Sequence, residues 1–130
     1  MAMASTAAAQ TPPLTSLGWA LVTATDDAFV YMKAEAGSAG GLPRIWTAYD
    51  LDAARERDGF SFRSVKSLSE YDCPTRRARI LRETFHSDPA LAGKEWAPKT
   101  FVVTDWAEAP AGSVGEKRMD FACPLPLKAS

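Results

Sequence analysis

The two cysteines are the residues of this 130-residue chain best suited to covalent chemistry. Cys73 closes the run Glu70-Tyr71-Asp72-Cys73, and Cys123 lies far beyond it. Neither has a second cysteine or a histidine nearby, so the spacing excludes a CxxC redox pair. Two isolated cysteines in a small domain favour one structural disulfide, which implies an oxidising compartment. The alternative is a pair of buried free thiols in a cytosolic protein.

The single histidine limits the catalytic sites that the chain can build. His86 would have to be the base of any Ser-His-Asp or Cys-His site, but its neighbours place it at a predicted strand end, where a structural role is expected. Zinc needs three or four nitrogen or sulfur ligands in most sites, and one histidine with two distant cysteines does not supply them. We therefore predict no catalytic residue, no metal and no cofactor.

An arginine cluster is the most suggestive charged feature. Arg76, Arg77, Arg79 and Arg82 follow Cys73 closely. On a strand, Arg77 and Arg79 would share one face, whereas Arg76 and Arg82 would share the other. Arg77 and Arg79 are therefore a candidate binding surface for an acidic protein or an anionic polysaccharide. The interpretation we favour is that acidic residues of the neighbouring strands neutralise this surface.

Composition bounds the class of protein. A net charge of −1 gives no reason to expect nucleic acid or an anionic membrane as partner. No apolar run approaches the roughly 20 residues of a membrane span. Residues 1–13 are rich in Ala, Ser, Thr, Gln and Pro and are predicted to be a disordered tail or a signal-peptide remnant, which leaves residues 14–127 as one domain.

Short β-rich segments separated by turn signals predict strands rather than helices. The segment at 76–86 is the least certain in period, because a helix would also accommodate its apolar residues. The glycine-rich segment 37–43 and the segments 52–59 and 88–98 are predicted loops. The predicted strands are 19–23, 29–33, 44–50, 60–72, 76–86 and 100–106.

One helix is predicted near the C-terminus. Ser113 is an N-cap candidate, Glu116 completes a capping box, and Pro124 forbids continuation beyond Cys123. The fold class is α+β, an antiparallel β-sheet meander of about five to six strands with one C-terminal helix. A disulfide would tether the end of that helix to the turn that follows the fourth strand.

A series of short motifs extends over about residues 17–124. In chain order they are Arg44-Ile45-Trp46, Phe62-Arg63-Ser64-Val65-Lys66, Glu70-Tyr71-Asp72-Cys73, Arg76-Arg77-Ala78-Arg79, Trp106-Ala107-Glu108-Ala109-Pro110, Gly112-Ser113 and Cys123. This series resembles the bacterial surface-adhesin protein E-like family. The resemblance implies structural roles for Trp46, Ser64, Tyr71, Asp72, Trp106 and Ser113. We expect the aromatic residues among them to pack in the core.

The resemblance also implies a location and a role. It implies a sheet with a C-terminal helix held by the Cys73–Cys123 bond, and export from a Gram-negative cell to the periplasm, the medium or the cell surface. The expected role is a non-catalytic envelope domain that binds host or envelope proteins, and the oligomeric state stays open. No cysteine precedes Cys73, so we expect no lipid-attachment site in this chain. The alternatives are an exported enzyme or small-ligand-binding protein, and a cytosolic regulatory or nucleic-acid-binding protein.

Overall fold

The computed structural model describes residues 13–35 and 42–123. Most of these residues form β-strands, which follow one another as an antiparallel meander. The sheet order is β1-β2-β3-β4-β5-β6, and a short seventh strand, β7, pairs with β5. The predicted α+β meander with one C-terminal helix is confirmed. The strands are β1 Ala20–Ala24, β2 Ala28–Ala34, β3 Arg44–Arg57, β4 Phe60–Asp72, β5 Arg77–Asp88, β6 Ala92–Trp96 and β7 Ala107–Glu108.

The predicted loop at 52–59 is wrong, because β3 continues through it. The register with β4 shifts between Asp50 and Arg55, and pairing then resumes up to Arg57. Asp58 and Gly59, with φ of 50° and 81°, form the two-residue turn into β4. Asp-Gly is a favoured pair for such hairpin turns because both positions need a positive φ. The charged residues around this turn led to the prediction of an exposed loop instead of a hairpin.

The chain between β5 and the helix also differs from the prediction. The predicted loop at 88–98 contains β6, preceded by a short 3₁₀ turn, Pro89–Leu91. The predicted strand at 100–106 is not a strand, and Val102 is 78% exposed. Thr104 makes the hydrogen bonds between that segment and β5: its amide donates to the Ile80 carbonyl at 3.2 Å, and its hydroxyl accepts from the Ile80 amide at 2.8 Å. β6 and β7 pair with the two ends of β5 on that side, and the segment 100–106 meets only the stretch between them.

Helix α1, Val114–Ala122, begins where the capping residues predict. The Ser113 hydroxyl accepts a hydrogen bond from the Glu116 amide at 3.2 Å, and the Glu116 carboxylate accepts one from the Gly112 amide at 2.7 Å. The Cys73–Cys123 disulfide is present and ties the end of α1 to the turn after β4. The predicted stop at Pro124, the predicted tail and most of the predicted loop at 37–43 lie outside the described residues.

The two faces of the sheet carry separate hydrophobic clusters, because successive strand residues point to opposite sides. Tyr31 and Met32 are neighbours on β2 and belong to different clusters. The cluster under α1 includes Met32, Ile45, Tyr71, Met119 and Cys123, the cluster on the other face includes Leu14, Trp19, Tyr31 and Ala48, and a third includes Leu51, Phe62 and Phe85. A 3₁₀ turn, Pro13–Leu17, brings Leu14 to the second cluster. The remainder of that second face, beyond the cluster, is where the charged residues gather.

Candidate functional site

The register of the three longest strands places cations and indoles together on the face opposite α1. Arg44 on β3 lies opposite Glu70 on β4, which lies opposite Arg79 on β5. The next row joins Trp46, Leu68 and Arg82 in the same way. We call this surface the arginine–tryptophan face and define it by Arg44, Trp46, Lys66, Glu70, Arg77, Arg79, Arg82 and Trp106.

A β-bulge decides which arginines share this face. Arg82 pairs with Leu68 and Ile80 pairs with Ser69, so Leu81 is the extra residue of β5. An extra residue reverses the alternation of side chains beyond it. Arg82 therefore returns to the face of Arg79, and the prediction that it lies on the opposite face is wrong.

Arg76 does not belong to the face either. It precedes β5 in a turn, with a φ of 57°, rather than lying on the strand. Its guanidinium is 2.6 Å from the Asp120 carboxylate on α1. Arg76 therefore connects the helix to the turn that carries Cys73.

Glu70 is the centre of the charged network. Its Oε1 accepts hydrogen bonds from Arg79 Nε at 3.0 Å and Nη2 at 2.8 Å, and its Oε2 accepts one from Arg44 Nε at 3.3 Å. The hydrogen bond from Arg79 is the main cause that lowers the pKa of Glu70; burial opposes it, and Arg44 adds to the lowering. A buried carboxylate that stays ionised orients both arginines. The neutralisation that we favoured from the sequence is thus present at this position.

Two indoles support three of the cations. Lys66 Nζ and Arg82 Cζ lie 4.8 Å and 5.5 Å from the centroid of the Trp46 ring. Arg79 Cζ lies 4.5 Å from the centroid of Trp106. These distances suit cation–π attraction, which holds the cation over the ring and away from other rotamers. We expected both tryptophans to pack in the core, but both are only half-buried. Tyr71, in contrast, is buried under α1.

The other residues of the sequence prediction lie apart from this face or at its margin. Ser64 holds the 3₁₀ turn before β6, because its hydroxyl donates to the Asp88 carbonyl at 2.7 Å and accepts from the Leu91 amide at 2.9 Å. Asp72 ends β4 opposite Arg77, and Arg77 lies 4.0 Å from the Glu108 carboxylate. Ser113 caps α1 on the opposite side of the molecule.

His86 is buried, and neither of its ring nitrogens has a hydrogen-bond partner. Its Nε2 lies 3.9 Å from the Glu95 carboxylate. Within residues 13–35 and 42–123, no three or more His, Cys, Asp and Glu residues are grouped to hold a metal ion. The helices in those ranges include none that is long and apolar enough to cross a bilayer.

An antiparallel meander with a disulfide-tethered C-terminal helix and an exposed basic, aromatic face defines a small disulfide-bonded α+β domain. The family model described as Surface-adhesin protein E matches residues 19–124, and the chain belongs to that family. No curated protein matches the chain.

Three solved structures of Haemophilus influenzae protein E share the fold. Crystal form II has a TM-score of 0.64 at 13% identity, covering 82% of this chain and 87% of that one. A second structure has a TM-score of 0.62 at 13% identity, with 80% and 82% covered. Protein E from non-typeable Haemophilus influenzae has a TM-score of 0.61 at 13% identity, with 79% and 73% covered. Similarity at this identity concerns the fold.

Proposed function

We propose that the chain is an exported, non-catalytic adhesin domain that binds an acidic region of an extracellular or envelope protein through the arginine–tryptophan face. Membership of the Surface-adhesin protein E family supports a surface role. The disulfide supports an oxidising compartment, since such bonds persist outside the cytosol. The observation that carries the proposal is the set of cations held over indoles on the face that α1 leaves open.

On the arginine–tryptophan face, the positive side chains are more exposed than most of the carboxylates that pair with them. The side chains of Arg82, Arg77 and Arg44 are 63%, 53% and 44% exposed. The carboxylates that pair with them lie deeper, at 11% for Glu70 and 23% for Glu35. An approaching protein therefore meets guanidinium groups first, although the net charge of the chain is −1. Glu108 is the exception, because it is 69% exposed beside Arg77.

The indoles reduce the conformational entropy that these cations lose when a partner binds. A long side chain loses rotamer freedom when a partner immobilises it, at about 0.5–1.5 kcal/mol each. Arg79, Arg82 and Lys66 already lie over tryptophan rings, so part of that ordering exists before binding. Arginine and tryptophan are also the residues that most often dominate protein interfaces.

The test compares the wild type with a variant carrying Arg77→Ala and Arg82→Ala in binding to immobilised matrix proteins and sulfated glycans. We expect the double variant to lose about tenfold in affinity for an acidic protein. Binding by the wild type should weaken as the Debye length falls from about 10 Å at 0.1 M salt to about 3 Å at 1 M. Arg79 is left intact in this variant, because its loss would leave the buried Glu70 carboxylate with Arg44 as its remaining partner and so also change stability.

Arg55→Ala is the matched control. Arg55 is as exposed as Arg77, at 53%, and it faces Asp27 rather than the arginine–tryptophan face. Equal binding by the wild type and the double variant at both salt concentrations would show that this face is not the site. Binding to sulfated glycans alone would redirect the proposal to a polysaccharide partner. Robust turnover in an activity screen would contradict the non-catalytic role.

A further inference from the structure

A cavity of about 490 Å³ lies between α1, β5 and the segment 104–110 that leads to the helix. Its volume falls within the range of small-molecule sites, about 300–1,000 Å³. It lies beside α1, whereas the Trp46 and Arg82 row of the arginine–tryptophan face is on the other side of the sheet. The apolar part of its wall consists of Ala78, Ile80, Ala107, Ala109, Val114 and Met119.

Two polar side chains in this wall are buried. Ser69 is 1% exposed, and its hydroxyl lies beside that of Tyr71, whose pKa is raised by burial and lowered in part by Ser69. Arg118 Nε is buried and makes no hydrogen bond. In the part of the chain that the structure describes, each of the other arginines has an ion pair or a hydrogen bond, and Arg118 has neither. Buried polar groups nearly always have a partner, so the unpaired Nε of Arg118 in the wall of this cavity calls for a polar group that the described chain does not supply.

The fold explains how the guanidinium reaches the cavity. Arg118 follows Gly115 by three residues on α1, and Met119 beside it is buried against the sheet. Gly115 has no side chain, so Ala109 can approach the helix: a Cβ at Gly115 would come within 2.8 Å of the Ala109 Cβ. Arg118 Nη2 lies 3.7 Å from that same position. The guanidinium therefore lies in contact with the position where Gly115 lacks a side chain.

We propose that this cavity binds a monocarboxylate with a short apolar tail, with the carboxylate on Arg118 and Ser69 and the tail against the aliphatic wall. The guanidinium fork matches the two oxygens of a carboxylate. Asp105 and Glu108 also line the cavity and repel any anion, a doubly charged phosphate about twice as strongly as a carboxylate, so they favour a ligand with a single charge. The carboxylate can belong to a free aliphatic acid or to the C-terminus of a peptide.

The test measures binding by calorimetry and the ligand-induced shift in Tm. The probes are hexanoate, its neutral analogue hexanamide, and a short peptide that ends in leucine with either a free or an amidated C-terminus. We expect the wild type to bind at least one carboxylate and to bind its amide at least about tenfold more weakly, because a hydrogen-bonded charge is lost. Hexanoate alone would indicate a free acid, and the peptide alone would indicate a protein C-terminus.

Arg118→Gln should lose at least about tenfold in carboxylate affinity, and Ser69→Ala should lose less. Lys117→Gln removes the same charge from an exposed neighbour on α1 and should bind as the wild type does. Arg118→Gln should not lower the Tm of the free protein, because it removes a buried charge that has no partner. Absence of binding by every carboxylate, or equal affinity in Arg118→Gln, would overturn the proposal. A fall in the Tm of free Arg118→Gln without any change in affinity would also overturn it, by assigning Arg118 a structural role.

Discussion

His86 is a titratable residue with no hydrogen-bond partner inside the sheet. It is 3% exposed, and burial is the main cause that lowers its pKa from 6.5; the Glu95 carboxylate opposes the lowering and Lys66 adds to it. The folded protein therefore favours the neutral ring, whereas the unfolded chain takes up a proton near pH 6.5. The unfolded state binds more protons below that pH, so the protein loses stability as the pH falls toward the pKa of the folded state.

His86→Gln should remove this pH dependence. We expect the free energy of unfolding of the wild type to fall more steeply between about pH 7 and about pH 5 than that of the variant, measured by urea denaturation. Carboxylates titrate in both proteins and cancel in the difference. Parallel profiles would mean that His86 titrates alike in the folded and unfolded chains.

The Glu70–Arg79 pair gives a second prediction at the scale of the residue. Because the pKa of Glu70 is lowered in the folded protein, the pair stabilises the protein at pH values above the ordinary carboxyl pKa of 4.5. This contribution is lost as the pH falls through the pKa of Glu70 in the folded state. Arg79→Ala should therefore cost about 2 kcal/mol at neutral pH and less in acid, because a hydrogen bond to a buried charge is lost. It should also raise the pKa of Glu70, which NMR titration of the carboxyl carbon would detect.

Arg77→Ala is the control for that measurement. Its partner Glu108 is 69% exposed at 4.0 Å, and such surface pairs contribute about 0–1 kcal/mol. Equal costs for the two variants would show that the Glu70 network contributes nothing beyond an ordinary surface pair. The contrast also explains why Arg77 and Arg79, which the sequence joins in one candidate surface, need separate tests.

At the scale of the element, sequence patterns predicted those features whose cause is local. β4 begins and ends as predicted because turns bound it on both sides, and α1 begins after Ser113 because the capping residues are contiguous. The Asp58-Gly59 hairpin was equally local, but the charged residues of β3 concealed it. The bulge at Leu81 depends on the pairing of two strands and has no signal within one of them.

The segment 100–106 was predicted to be a strand and does not form one. Its β-rich residues favour an extended chain, but strand formation also requires a free edge. β6 and β7 pair with the two ends of β5, and 100–106 follows the stretch between them with hydrogen bonds at Thr104 alone, a division that no sequence pattern predicts. The arginine–tryptophan face was only half predictable for the same reason, because Arg82 joins it through the bulge and Trp106 through the path of the segment that follows β6.

The disulfide is the covalent tether between α1 and the turn after β4. A nine-residue helix is marginal in isolation, and its one buried residue is Met119. Closing a loop with a sequence separation of 50 stabilises the folded state by about 4 kcal/mol in the chain-entropy account. Replacing both Cys73 and Cys123 by Ser should therefore lower the free energy of unfolding by about that amount, measured by urea denaturation.

Mass measurement after denaturing alkylation is the accompanying check on the wild type, which should show no free thiol. Two alkylated cysteines in protein refolded under air would contradict the bond in solution. It would also remove the support that the disulfide gives to export.

At the scale of the whole molecule, the sheet separates two surfaces of different chemistry. The arginine–tryptophan face presents cations held over indoles, whereas the cavity beside α1 is a half-open pocket of a size that suits a small group. β5 borders both, since Arg79 lies over Trp106 and also lines the cavity. A ligand in the cavity would therefore touch the strand that carries the proposed adhesive arginines.

The same arrangement predicts an order of local stability. β4 lies in the middle of the sheet with β3 and β5 on its two sides, whereas β1 is a five-residue edge strand whose register shifts after Leu21. The segment 100–106 is connected to β5 by the two hydrogen bonds at Thr104. Amides with few buried contacts and exposed hydrogen bonds open most readily.

Hydrogen exchange followed by mass spectrometry should therefore show that 100–106 exchanges first, β1 next and β4 last. The double serine variant should add α1 to the fast group while β4 remains slow, because the tether acts on the helix rather than on the centre of the sheet. Protection of 100–106 equal to that of β4 would mean that this segment is paired as a strand in solution, as its β-rich residues alone predict. In that case Trp106 would be held in a sheet instead of by Arg79, and the arginine–tryptophan face would lose one of its two indoles.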